Sequence, residues 1–371
     1  MPKADEDSLP CGVPPGHMTL EEICADFARR EAQRKHRAAV RGMTRRAFLE
    51  MAAAGAAATA AVGAAATRRS LAEEPAEESA AEPAEGPAPA LPRSRVVIVT
   101  HPEVLIRGYR VNPPIIRQML DRALLELFGA AAEKDAWLKV GREGDFVAVK
   151  HNSIGRPTLH SHTEINDAVT EQLAVQAGVS PEKMLVVDRR MPEPYMDLSE
   201  PFTLPSTKLG TRLRRLYTDH ATAIVNVSVL KCHFNEGISA AMKNHLGSVN
   251  NPAAYHGWEP DRMPRSLPEL NALEPLRSKT RLCIVDAVRP LFAAGPADNE
   301  EYRWDYRGLI VGTDPVAVTA VGVRILETRR HEALEKEWPM TAARQMVAHG
   351  QAIGLGNADP DRIDLVEVDM G

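Results

Sequence analysis

From Arg95 onward the chain alternates short apolar runs with longer, mixed ones. The short runs are "RVVIVT" (95–100), "FVAVK" (146–150), "MLVVD" (184–188), "AIVNVSVL" (223–230), "LCIVD" (282–286), "GLIVG" (308–312) and "DLVEV" (364–368). They are rich in Val and Ile and almost continuously apolar, the pattern of strands in a sheet covered on both faces. Between them, "NPPIIRQMLDRALLELFG" opens on Asn112 with prolines in its first turn and stops at Gly129. "HTEINDAVTEQLAVQAG" stops at Gly178, and "DPVAVTAVGVRILETRR" opens on Asp314 followed by Pro315. Such start and stop signals predict helices. The alternation predicts an α/β fold: a mainly parallel sheet flanked by helices, forming a single main domain over residues 94–371. Residues 249–280 are rich in Pro and Asn and read as a lid-like loop insertion.

Before residue 94 the alternation is absent. "TRRAFLE" (44–50) is followed by "MAAAGAAATAAVGAAA" from Met51 to Ala66. A paired Arg45-Arg46, then Phe48-Leu49, then a weakly apolar Ala/Gly stretch resembles a twin-arginine export signal. The resemblance implies recognition by the twin-arginine export machinery, delivery of folded cargo to the periplasm or beyond, and cleavage after Ala66 or Ala72. Residues 1–72 are then a leader. The apolar run is shorter than the roughly 20 residues a membrane-spanning helix needs, so no stable span is expected after cleavage. Residues 73–93 form a Pro/Ala/Glu tract without apolar periodicity. It cannot bury enough surface to offset its ordering entropy and is expected to be a disordered spacer.

The 371 residues carry a net charge of −5, and no basic tract lies beyond the first 70 residues, so no nucleic-acid partner is expected. Cys11 and Cys24 fall in the leader, leaving Cys232 and Cys283. Without a CxxC there is no zinc-ribbon or iron–sulfur pattern, and two buried free thiols are expected rather than a disulfide. GxxxxGK[ST], GxSxG and HExxH are absent, which leaves P-loop nucleotide hydrolysis, α/β-hydrolase chemistry and zincin proteolysis unsupported.

Chemistry-bearing residues gather where the apolar runs end. Lys150 and Asn152 follow the second run, Lys231 and His233 the fourth, Asp286 the fifth and Asp314 the sixth. In an open parallel sheet, ligands bind at the carboxyl ends of the strands. After Lys231, "CHFNEG" reads as a turn into a small-residue helix, "ISAAMKNHLG", that carries Lys243 and Asn244. Three ammonium groups, two amides and a helix N-terminus suit a carboxylate or phosphate. Lys150, Lys231, His233 and Asp286 are therefore the candidate catalytic residues, and Asn152, Lys243, Asn244 and Asp314 the candidate ligand-binding ones. The simpler readings are solvated strand-end lysines and, for Asp314, a helix cap. "HSH" (160–162) immediately precedes a helix, which favours capping or exposure over metal binding, and no metal or cofactor is assigned.

These stretches resemble the domain of unknown function 362 family. "DFVAVKHNSIGRPT" (145–158), "AIVNVSVLKCHFNEGISAAMKNHLGS" (223–248), "LCIVDAVRPLFAAGP" (282–296) and "GLIVGTDPVAVTAVG" (308–322) carry the resemblance. It implies a shared site at Lys150, Asn152, Lys231, His233, Lys243, Asn244 and Asp314-Pro315, but names no reaction. Some members are labelled iron–sulfur proteins; this chain lacks the cysteine clusters, so no cluster is carried over. The expected function is an exported enzyme acting on a small anionic substrate. The alternatives are a non-catalytic anion- or cofactor-binding accessory protein, and a metal-dependent enzyme drawing on His151, His160, His162, His233, Asp286 and Asp314.

Overall fold

A computed structural model describes residues 91–371, except 156, 234–236, 257–261 and 336. The leader and nearly all of the spacer lie outside the described residues. All seven apolar runs form strands. The strands are β1 (Ser94–Thr100), β2 (Leu105–Arg107), β3 (Arg110–Val111), β4 (Val147–Lys150), β5 (Met184–Val187), β6 (Phe202–Thr203), β7 (Gly210–Thr211), β8 (Ala223–His233), β9 (Gly237–Ser239), β10 (Thr280–Leu291), β11 (Gly308–Gly312) and β12 (Ile363–Asp369). Eight of them build one sheet in the order β12-β1-β11-β10-β8-β4-β5, with β9 folded back on β8; β2–β3 and β6–β7 are separate ribbons.

The sheet is mainly parallel, with two exceptions. β9 runs antiparallel to β8, and β11 runs antiparallel to both of its neighbours, β1 and β10. The second exception reverses one strand end, with consequences for Asp314 described below.

Alternate residues of each strand feed two cores. Val97, Val99, Val147, Val149, Val225, Ile284 and Val311 face α1 (Pro113–Phe128), α2 (Glu133–Val140) and α3 (Thr163–Ala177). Val96, Ile98, Ala148, Ile224, Cys283, Val285 and Ile310 face the helices of the other layer. Burying each of the Val and Ile side chains contributes about 1.5–3 kcal/mol, so the period-2 pattern fixes which residues point to which layer. On α1 the buried stripe Ile116, Met119, Leu120, Ala123 and Leu124 follows helical spacing, and Gly129 closes the helix at φ 58°.

The second layer holds α4 (Ala241–Asn244), α5 (Arg262–Ala272), α6 (Glu274–Arg277), α7 (Pro315–Leu334) and α8 (Thr341–Ala352). Two expectations change here. Residues 249–280 are not a bare loop: α5 and α6 occupy much of this stretch, and Met263, Leu267, Leu270 and Leu276 are buried in the core. Their spacing is helical, but Pro264 and Pro268 interrupt the signal. Nor does Gly237 open a helix. It starts β9, whose Ser239 pairs with Lys231, and the helix that follows is a single turn.

Candidate functional site

The carboxyl ends of β4, β5, β8 and β10 lie on one edge of the sheet, because these strands are mutually parallel. Lys150 ends β4, Asp188 follows β5, and Lys231 and His233 end β8. β10 continues past Asp286 to Leu291, which pairs with Lys231, so Asp286 sits within a strand rather than at its end.

Lys150 is fully buried. Its ammonium meets three acceptors: His151 O (2.7 Å), Asp188 Oδ1 (2.7 Å) and Asn244 Oδ1 (3.2 Å). Burial, the larger effect, lowers the Lys150 pKa, and the Asp188 carboxylate opposes it, with three acceptors matching the three N–H protons of the charged form. Burial pushes the Asp188 carboxyl up, but the Lys150 ammonium and the Ser153 donors outweigh it and hold the carboxyl below its usual range. Asp188 Oδ2 accepts from both the backbone N–H (3.0 Å) and the hydroxyl of Ser153. Removing either partner of such a buried pair strands a charge, at a cost of about 3–5 kcal/mol.

Asn244 locks this pair to the sheet. Its amide donates to Lys150 O (2.9 Å), Asn226 Oδ1 (2.7 Å) and Val227 O (3.1 Å). Asn226 in turn donates to Ala241 O at 2.9 Å, tying β8 to α4. Gly247 is required at its position: a Cβ there would lie 2.7 Å from Lys150 Cε and 2.9 Å from Asp188 Oδ1. The "KNHLGS" segment is thus built to approach the ion pair closely. α4 has only four residues and offers no helix N-terminal anion site, contrary to the sequence expectation.

Lys231 is different. It is buried, and its Nζ donates to two backbone carbonyls, Ile154 O (2.9 Å) and Leu159 O (3.4 Å). No carboxylate pairs with it among the described residues. Burial, followed by the nearby charge of Lys243, lowers its pKa to about 7. Both carbonyls belong to the segment 151–162, whose described residues (151–155 and 157–162) strap across the carboxyl edge. Gly155, at φ +100°, lets the Leu159 carbonyl approach; a Cβ there would meet that oxygen at 2.3 Å. The strap is held at one end by Ser153 on Asp188 and at the other by His162 on Asp286.

Asp286 is buried, and its Oδ2 accepts from His162 N (2.8 Å) and meets His162 Nδ1 (2.6 Å); its Oδ1 accepts from Val288 N (3.1 Å). His162 Nε2 lies 3.0 Å from Tyr109 O. Burial disfavours the imidazolium, but the Asp286 carboxylate outweighs it and raises the His162 pKa. His162 is therefore buried rather than exposed, and although it stands at the N-cap position of α3 its side chain makes no cap hydrogen bond and anchors the strap instead. His160 stays local, meeting Ser161 O and Pro157 O.

Asn152 lies in the strap, half-buried, with its amide 3.5 Å from Asn244 Oδ1 and its own Oδ1 buried with no partner among the described residues. Lys243 is half-buried, and its charge acts on both Lys150 and Lys231. His233 is buried, with its ring 6.0 Å from that of His256. Asp314 is the exception. Because β11 is antiparallel, its end lies at the opposite edge, where Asp314 caps α7 through Val316 N and Ala317 N and accepts from Ser94 Oγ and Asn357 N. The structure thus brings Lys150, Asn152, Lys231, Lys243, Asn244 and Asp286 to one edge, and separates Asp314 from them. Among the described residues no group of three or more His, Cys, Asp or Glu is arranged to hold a metal ion. Cys232 and Cys283 are buried and free.

Three partners in this network were not selected from the sequence. Asp188 was visible as a strand end, Asn226 as a lone amide in an apolar run, and Gly247 only as one glycine among many. An open cavity of about 650 Å³ adjoins the ion pair; the strap residues Ser153 and Ile154 and Asp188 itself contribute to its wall. The lysines lie beneath this wall rather than lining the cavity.

No curated protein and no solved structure matches the chain. Residues 217–324, which include Lys231, His233, Lys243, Asn244 and Asp286, match the family model described as Domain of unknown function (DUF362), a match that covers under a third of the chain.

Proposed function

We propose that the protein is an exported enzyme that acts on a small anionic substrate at the carboxyl edge of the sheet, with Lys231 moving a proton. The observation that carries this reading is the environment of Lys231. A buried lysine normally has a carboxylate partner, as Lys150 has Asp188. Lys231 has two carbonyls instead, and a pKa of about 7 makes it a neutral amine for a large fraction of molecules at neutral pH. An amine poised near the working pH suits general acid–base catalysis. Lys150, Asp188 and Asn244 hold the floor rigid, Lys243 supplies positive charge to the edge, and the Lys231-bearing end of β8 also carries His233. The strap must shift for substrate to reach Lys231, since Ile154 and Leu159 now cover it.

The test is consumption of substrate. A panel of phosphorylated and dicarboxylic metabolites incubated with the full chain and followed by NMR should reveal one that is consumed. Lys231→Met should fold but lose most turnover, since methionine preserves much of the apolar stem. If Lys231 is the base, kcat/KM should rise with pH through about 7, as the amine loses its proton. Turnover unchanged in Lys231→Met would remove Lys231 from the chemistry. If the wild type consumes nothing, the non-catalytic anion-binding reading is favoured; the sealed position of Lys231 beneath the strap is the observation on its side.

Export rests on "TRRAFLE" ahead of the alanine run. Arg45→Lys with Arg46→Lys should leave the protein in the cytoplasm when cell fractions are blotted. Normal export of that double variant would overturn the assignment.

A further inference from the structure

We infer that the cavity beside β5 is a binding site for a small phosphate ester, held by Arg189, Arg190 and Arg214. All three arginines contribute to its wall, together with apolar surface from Val186, Met196 and Pro252. Arg189 and Arg190 are exposed. None of the three makes an ion pair among the described residues. Arg214 is half-buried; its Nη1 donates to Met196 O at 2.9 Å, and its Nε is buried without a partner. The one carboxylate in the wall, Asp188, is already matched by Lys150 beneath it. The cavity therefore presents three uncompensated guanidinium groups in a chain whose net charge is −5.

Like charges around one cavity repel, and an anion between them relieves this. Guanidinium forks match the oxygens of carboxylate and phosphate. A single carboxylate offers two oxygens and one charge, too few for three forks. A terminal phosphate offers three oxygens and nearly two charges, and the apolar wall takes the organic body. This deepens the proposed reading, resting on it for an anion at this edge, and names the ligand class. It places the charge on Arg189, Arg190 and Arg214, above the buried lysines.

The test is calorimetric titration of phenyl phosphate, inorganic phosphate and phenylacetate into the full chain. Phenyl phosphate should bind most tightly, and its affinity should fall with added salt. Arg189→Ala with Arg190→Ala, both exposed and so harmless to folding, should weaken phenyl phosphate roughly tenfold or more, and Arg214→Met should do the same. Lys231→Met should keep the binding, since Lys231 does not line the cavity; a wild-type chain that binds phenyl phosphate but consumes nothing from the metabolite panel loses the enzyme reading and keeps this one. No binding of phenyl phosphate to the wild type, wild-type affinity in the Arg189/Arg190 double variant, or equal affinity for phenylacetate would overturn the inference.

Discussion

At the scale of single residues, burial lowers the pKa of two lysines that have different partners. Lys150 is paired and hydrogen-bonded three ways, whereas Lys231 is desolvated with only carbonyls for company. The His162–Asp286 contact follows the first pattern and makes stability depend on pH. His162 has a folded pKa raised above its ordinary 6.5, so its contribution is complete below that value and is lost as pH rises through the folded pKa. Asp286 has a folded pKa below its ordinary 3.8, so its contribution is present above 3.8 and is lost as pH falls through the folded pKa. The pair is at full strength between those ordinary values. Lys231, with its lowered folded pKa, contributes with the opposite sign above about 7, so the His162 contribution is read as a difference: in chemical denaturation the stability lost in His162→Gln relative to wild type should shrink as pH rises above 6.5, giving the two curves different slopes there. An unchanged slope in the variant would show that His162 does not anchor the strap through its charge. The sequence made Lys150 and Asn244 legible because polar groups at strand ends stand out against apolar runs. It did not show the pairing of His162 with Asp286, which lie 124 residues apart and meet only because α3 starts beside β10.

At the scale of elements, the direction of β11 decides the most. Its apolar run and the Asp314-Pro315 helix start were legible, and both form as read. Its direction was not, because strand patterning has the same period whichever way the chain runs. Antiparallel pairing on both sides carries Asp314 away from the lysines and onto the edge where β1 begins. There its carboxylate accepts from Val316 N (2.8 Å), Ala317 N (3.1 Å) and Asn357 N (2.7 Å). Asp314→Ala should therefore destabilise the fold by about 1–3 kcal/mol, through a lost cap and an unpartnered amide. It should leave phenyl phosphate binding as in the wild type. A variant of normal melting temperature and impaired binding would put Asp314 back in the site. α5 escaped the sequence analysis for a similar local reason, two prolines obscuring the spacing of Met263, Leu267 and Leu270.

At the scale of the whole molecule, two apolar layers clamp a sheet whose carboxyl edge gathers the cationic groups, with the 151–162 strap closing over it. Among the described residues no helix is long and apolar enough to cross a membrane. The sheet holds Lys231 in place and the strap removes it from water, so the account stands on the ionisation of that amine in the folded chain. The most direct measurement is an NMR titration of the full chain carrying 13Cε-labelled lysine, from about pH 5 to pH 11, with the Lys231 signal assigned by its loss in Lys231→Met. The account predicts that this signal titrates near pH 7, well below the ordinary lysine value of 10.5. A Lys231 signal that titrates near the ordinary 10.5 would contradict it.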